Sequence, residues 1–293
     1  MAGAQLRDTR RRIRSVEATK KITRAMELIS ASRIPKAIAR VQGSKPYTEK
    51  LIEVIENVGA AHGGASHRLL ERRDVQTVGL LVVTSDRGLA GAYASNIIRL
   101  AEQRINMLQK EGKDVLLYTI GKKAQSYFRY RGYRIEQAYL GVTDTPGYGD
   151  ARAIASRVMA SYAEHHIDAL ETFYTSFQSV MTQVPVRRDL LPITPPKLEE
   201  GEGMGRVSYQ FEPSPEEILG RLLPRYVEAT VFNMLLEASA SEHSARRRAM
   251  KAATDNAEDL IRALRVQANR ARQAEITTAI TEIVGGAEAL KEG

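Results

Sequence analysis

The strongest constraint on this chain is a long run without helix breakers. After Pro224 there is no proline for 69 residues and no glycine until Gly285. From 225 to 284 the sequence is rich in Ala, Leu, Glu, Arg and Gln, which lose little on entering a helix. Small or apolar residues recur at Ala245, Ala249, Ala253, Ala257, Leu260, Leu264, Ala268 and Ala271. Those steps average about 3.7 residues, which predicts one stripe on a helix of nearly unstrained period. A stripe made mostly of alanine lets a second helix approach closely. About 60 helical residues reach roughly 90 Å at about 1.5 Å each. A compact body of 293 residues has a radius of gyration of about 19 Å. The sequence therefore predicts an elongated molecule whose C-terminal helix needs a partner.

The N-terminus offers that partner. Leu6, Ile13, Val16, Ile22, Met26 and Ile29 fall at helical spacing among charges, over a segment reaching about Val58. Pro35 and Pro46 interrupt it and predict a bend or a junction. Neither terminal helix can bury its stripe alone, so the economical arrangement is an antiparallel pair. Between them the pattern changes. Strands are predicted over 77–84, 114–120, 133–140 and 169–177, with a further one over 184–191. Helices are predicted over 94–111, 122–131 and 151–165, with a turn-rich loop over 143–150. Such alternation predicts a mostly parallel sheet. Seven of the ten prolines lie between Pro185 and Pro224, with Gly201, Gly203 and Gly205 among them, which predicts a looped connection.

Composition removes several function classes. There is no Cys, so disulfides, thiolate metal sites, a Cys nucleophile and a thiol switch are excluded. The longest aliphatic run, 78–83, is far too short to cross a bilayer. No apolar stretch follows the basic N-terminus, which argues against a secretory signal. The net charge of +8 is concentrated: residues 1–50 hold 13 Lys/Arg and 4 Asp/Glu, a local +9. Residues 225–293 hold 10 of each sign. The basic segment reads either as a surface for an anionic partner or as a solvated helix face.

No self-contained active site is visible. Ser85-Asp86-Arg87-Gly88-Leu89-Ala90-Gly91-Ala92 follows a strand and precedes a helix, but it lacks the G-x-G-x-x-G spacing and reads as a tight turn. Gly121-Lys122-Lys123 lacks the upstream Gly and the Ser/Thr of a phosphate-binding loop. His62, His67, His165, His166 and His243 show no metal-ligand spacing and are expected on the surface, with adjacent His165 and His166 on different helix faces. Glu199-Glu200 and Glu216-Glu217 lie in or beside the proline-rich stretch and read as solvated. Arg246-Arg247-Arg248, and Arg270, Arg272 and Gln273 further on, read by default as a solvated helix face.

Three blocks carry a resemblance. They are Met1-Ala2-Gly3-Ala4 with Lys20-Lys21-Ile22-Thr23-Arg24-Ala25-Met26-Glu27; Ser85-Asp86-Arg87-Gly88-Leu89-Ala90-Gly91; and Ala249-Met250-Lys251-Ala252-Ala253-Thr254-Asp255-Asn256 with Ala271-Arg272-Gln273-Ala274 and Ile276-Thr277…Thr281-Glu282-Ile283-Val284-Gly285-Gly286-Ala287. Together they resemble the gamma subunits of bacterial-type rotary F-type ATP synthases over almost the whole chain. The resemblance implies an α/β domain inserted between long N- and C-terminal helices that pair as an antiparallel coiled coil. The expected parts are the N-terminal shaft helix (1–58), a Rossmann-like α/β domain (75–192), a Pro/Gly-rich connection (193–224) and the C-terminal shaft helix (225–293).

It further implies a non-catalytic central-stalk rotor that couples rotation of the membrane c ring to the catalytic beta subunits. The implied partners are three alpha and three beta subunits, epsilon and the c ring, with delta reached only indirectly. No cofactor, nucleic acid or direct nucleotide is implied. Carried over residue by residue, Lys20, Lys21, Arg24, Met26, Arg246, Arg272, Gln273 and Thr277 are expected to contact beta subunits. Tyr209, Phe211 and Glu212 are expected in the foot against the c ring and epsilon. The implied location is the cytoplasmic face of a bacterial plasma membrane, as a peripheral protein. The sequence departs from the family at Ala279, where Glu or Lys is usual, and at Pro35 and Pro224. Two other readings stand beside this one: a basic coiled coil binding nucleic acid through 7–50, and a nucleotide-dependent enzyme using the α/β domain.

Overall fold

The computed structural model describes residues 2–61, 67–194 and 214–289. In chain order the elements are α1 (Ala2–Ala61), β1 (Thr77–Val83), α2 (Tyr93–Lys110), β2 (Asp114–Ile120), α3 (Lys122–Tyr130), β3 (Ile135–Tyr139), α4 (Tyr148–Ala163), β4 (Ala169–Phe177), β5 (Gln183–Leu191) and α5 (Pro215–Ala289). They make two compact units, one from the two chain ends (through Ser30 and from Arg246) and one from Ala31 to Ala245. Helices α1 and α5 contribute to both.

The larger unit is built on a five-stranded sheet of order β3-β2-β1-β4-β5. Strands β1 to β4 run parallel, and β5 pairs antiparallel to β4 as an edge. β1 is buried and without polar side chains from Val78 to Val83 because both faces of a parallel sheet are covered. On one face Val78, Leu80, Val82, Leu117 and Phe173 meet α2 and α3 through Ile97, Ala101, Ile105, Leu108 and Phe128. On the other, Leu81, Val83, Tyr118, Ile120 and Tyr174 meet α4, with the near parts of α1 (Leu51, Ile55, Val58) and α5 (Leu219, Leu223, Val227) in the same core. Two glycines are forced. A Cβ at Gly79 would stand 2.8 Å from Ile167 Cδ1, and one at Gly121, whose φ is +90°, would stand 2.7 Å from the Thr84 carbonyl oxygen.

The smaller unit is an antiparallel coiled coil. Thr23 meets Thr254, Lys20 meets Glu258 and Glu17 meets Arg265, so numbers rise on one helix as they fall on the other. The inward residues of α5 are Met250, Thr254, Ala257, Ile261, Leu264 and Ala268, all buried. On α1 they are Leu6, Thr9, Ile13, Val16, Lys20, Thr23, Glu27 and Ser30, buried or half-buried. Both series alternate steps of three and four, a heptad period of about 3.5 that winds a left-handed coil. The expected stripe holds at Ala257, Leu264 and Ala268, is half-buried at Ala245, Ala249, Ala253 and Ala271, and fails at Leu260, which is 45% exposed while Ile261 beside it is buried.

Other expectations shift as well. Pro35, Pro46 and Pro224 all lie inside helices, so none of them is a junction. α5 opens at Pro215, within the stretch expected as connection through Pro224. Ser214 caps it, its hydroxyl accepting from Glu217 N at 3.2 Å, with Pro215 at the first helical position and Glu216 and Glu217 in the first turn. Burial of Leu219, Leu223 and Val227 around Pro224 offsets the lost backbone bond. His243 is buried, not on the surface, and His165 lies beyond the end of α4 with φ of +62°.

Candidate interaction surfaces

The coiled coil has a polar seam along residues 20–30. Thr23 and Thr254 share a buried hydrogen bond of 2.8 Å. Lys20 Nζ lies 3.4 Å from Glu258, and the buried carboxylate of Glu27 accepts from Arg24 at 2.9 Å. Ser30 donates to the Met26 carbonyl at 2.8 Å. With the seam so occupied, apolar side chains point outward: Ile22 is 62%, Leu28 55% and Ile29 53% exposed. The expected inward stripe through Ile22, Met26 and Ile29 is thus wrong at two of its three residues. The heptad begun by Leu6, Thr9, Ile13 and Val16 continues to Lys20 and Thr23, and polarity does not move its phase. Of the residues expected to touch beta subunits, Lys21 and Arg24 are exposed, and Lys20 and Met26 are half-buried.

Beyond Ala271, α5 is bare. Every residue from 272 to 287 is exposed, including Arg272, Gln273 and Thr277. Ile276, Ile280, Ile283 and Val284 are 48%, 56%, 72% and 55% exposed. On α1, Arg7, Arg10, Arg11, Ile13 and Arg14, with Asp8, line a groove of about 870 Å³. Arg247 and Arg248 are exposed, but Arg246 is buried, which separates it from the surface expected of it. Tyr209, Phe211 and Glu212 lie outside the described residues.

The α/β unit shows what became of the nucleotide alternative. In an open parallel sheet, ligands enter where the strand order reverses, here between the carboxyl ends of β1 and β4. Helix α5 lies across that place. Ser241 donates to Thr175 O at 3.2 Å, Tyr93 Oη donates to Ala238 O at 3.1 Å, and Glu237 accepts from Phe177 N at 3.1 Å and from the Ser176 hydroxyl at 2.7 Å. The first N–H groups of α3 are consumed too. Lys122 N donates to Asp86 Oδ1, Lys123 N to Ser85 O and Ala124 N to Thr84 Oγ1. In the turn after β1, left-handed backbone falls at Leu89 and Gly91. Among the described residues, no cluster of His, Asp or Glu has the form of a metal site, and no helix is long and apolar enough to cross a membrane.

An inserted α/β unit whose crevice is filled by its own helix, and a coiled coil with a bare end, suit a protein that works by contact. A family model described as ATP synthase matches residues 5–290. The chain is 49% identical to the ATP synthase gamma chain of Frankia casuarinae, with all of both chains covered. It is 48% identical to that of Streptomyces griseus, with 99% of this chain and 97% of the relative covered. The chain belongs to the ATP synthase gamma chain family. A gamma chain is the non-catalytic rotor subunit in the central stalk of the proton-transporting ATP synthase. Solved structures share the gamma-chain fold: a chain of the Euglena gracilis mitochondrial ATP synthase at TM-score 0.68 and 15% identity, covering 99% of this chain and 96% of that one. A chain from the central stalk and c ring of the Tetrahymena thermophila enzyme gives 0.60 at 22% identity, covering 79% and 99%.

Proposed function

We propose that the bare end of α5 is the part of this gamma chain held by the catalytic head, with Arg272, Gln273 and Thr277 bonding to beta subunits there. The observation that supports this reading is the run 272–287, exposed on every side and studded with isoleucine and valine. Ile276, Ile280, Ile283 and Val284 fall at helical spacing as one uncovered apolar stripe, which suits a docking face rather than water. Lys20, Lys21, Arg24 and Met26, beside the outward Ile22, Leu28 and Ile29, form a second contact, a basic and apolar face suited to an acidic lever of beta. Arg246, being buried, is assigned to the interior of the chain instead.

In this reading alpha and beta subunits, three of each, surround the coiled coil, and epsilon and the c ring meet the α/β unit and the foot around Tyr209, Phe211 and Glu212. The assembly sits on the cytoplasmic face of a bacterial plasma membrane. Proton flow turns the ring and the gamma chain together, and each beta subunit meets a different face in turn. Driving a two-state site from 1:99 to 99:1 takes about 5.5 kcal/mol of differential contact. Charged and apolar patches distributed round a stiff coil can supply that. Arg272→Ala with Gln273→Ala tests the assignment in membrane vesicles. ATP synthesis per assembled complex is expected to fall while the amount of complex holds, and unchanged synthesis would remove these residues from the contact.

A further inference from the structure

Within the unit from Ala31 to Ala245, the loop between β3 and α4 is fastened on two sides. Toward the sheet it is held by Asp86, whose Oδ2 accepts from Gly141 N at 3.0 Å and from the Thr143 hydroxyl at 2.9 Å, while its Oδ1 accepts from Lys122 N at 3.1 Å. Its far end is fixed by Asp150, which accepts from Gly147 N at 2.8 Å. On its other side the loop meets both long helices. Arg33 of α1 donates to the two carboxylate oxygens of Asp144 at 2.6 and 2.5 Å, and Arg40, two turns on, donates to the Pro146 carbonyl. From α5, Ser239 donates to the Asp144 carbonyl at 3.0 Å, and His243 Nε2 lies 3.8 Å from Asp144 Oδ1.

One residue is thus gripped by both helices, while its neighbour Thr143 is pinned toward the sheet through Asp86. Static stability is a weak explanation, because the Arg33 and Asp144 side chains are 41% and 30% exposed and such pairs contribute little. Shear is different. Apolar burial is non-directional and lets packed surfaces slide. Hydrogen bonds weaken steeply with small changes of distance and angle, so they oppose sliding. A rotor has to carry torque between its α/β unit and its two long helices. We propose that Arg33, Asp144 and His243 form a torque lock, positioning residues that stop α1 and α5 slipping against the α/β unit when the rotor works under load.

The test uses the whole ATP synthase in inverted membrane vesicles, carrying Arg33→Gln, Asp144→Asn, both together, or Arg33→Lys. Three quantities are read: the amount of assembled complex, ATP hydrolysis with the proton gradient collapsed, and protons pumped per ATP hydrolysed. Unloaded hydrolysis per complex is expected to stay within about twofold of the unaltered enzyme, while the pumping ratio falls about fivefold, the scale of one charge-assisted contact. The double variant should be no worse than the singles, and Arg33→Lys should recover at least half of the loss, roughly. A merely structural role would lower the amount of complex and leave the ratio alone. That outcome, or a parallel fall of hydrolysis and pumping, overturns the proposal. Should Asp144→Asn fail to assemble, Arg33→Gln decides alone, since its side chain can be truncated toward solvent.

Discussion

The seam pair Thr23 and Thr254 allows a quantitative expectation. Three bonds are drawn around it: Thr23 to the Lys20 carbonyl at 3.0 Å, Thr254 to the Met250 carbonyl at 2.8 Å, and one between the hydroxyls at 2.8 Å. Two hydroxyls carry two hydrogens, so only two of the three exist at once. Thr23→Val leaves Thr254 with its carbonyl acceptor and orphans no donor. It loses one shared bond, about 1 kcal/mol net, and buries one more methyl, about 0.8 kcal/mol, so stability should barely move. Thr254→Val should behave alike. The pair of substitutions removes both hydrogens, and so both bonds, and gains two methyls, so the double variant should be less stable by about 0.4 kcal/mol. The singles and the double should therefore be additive to within about 0.5 kcal/mol, although the two residues touch. Denaturant unfolding of the purified chain, followed by helical circular dichroism, measures all four species. A double variant destabilised by more than about 2 kcal/mol, or a coupling larger than about 1 kcal/mol, would refute the accounting.

Three further expectations concern the α/β unit. Glu171 is buried and accepts from Arg104 at 2.6 to 3.0 Å, with Arg187 Nε 3.8 Å away, so Arg104→Met should cost about 3 kcal/mol in denaturant unfolding by taking the hydrogen bonds from a buried carboxylate. Gly121→Ala should cost at least about 2 kcal/mol, because its Cβ would meet backbone, whereas Gly132→Ala, at φ of +78° in open space, should cost about 1 kcal/mol in the same assay. Burial alone would raise the Asp144 carboxyl, but the hydrogen bond and charge of Arg33, with His243 and Arg87, hold it below the ordinary value. A depressed folded value means the contribution is complete above the ordinary carboxylate range and is lost as pH falls through the folded one. Asp144→Asn should accordingly flatten the acid limb of a stability-against-pH curve.

The regular parts of the fold were legible because their periodicity is local. The stretches 114–120 and 169–177 are strands at the expected residues, and β1 reads as a buried strand from its uninterrupted aliphatics. The start of α5 is also written in the chain, as Ser214-Pro215-Glu216-Glu217, but the seven prolines between 185 and 224 give that stretch the character of a loop. The seam was misread for a physical reason. Apolar residues at 22 and 29 suggest an inward face, yet the heptad phase is set cooperatively by the whole helix, and it carries Thr23 and Glu27 inward. Least visible were the loop carboxylates Asp86 and Asp144 and the burial of His243. Their partners lie 36 or more residues away in the chain, so only tertiary structure brings them together.

The unclothed end of α5 also bears on the life of the free chain. Four large aliphatic side chains standing in water over sixteen consecutive exposed residues are a site for self-association as much as for docking. A binding partner that covers them draws the chain out of that side reaction by mass action. In the proposed reading, the supply of head subunits sets how much of this protein stays monomeric before incorporation. Expression without them should yield aggregates, and co-expression should yield soluble chain. The same surface would then serve twice, first as a demand for timely assembly and afterwards as a bearing.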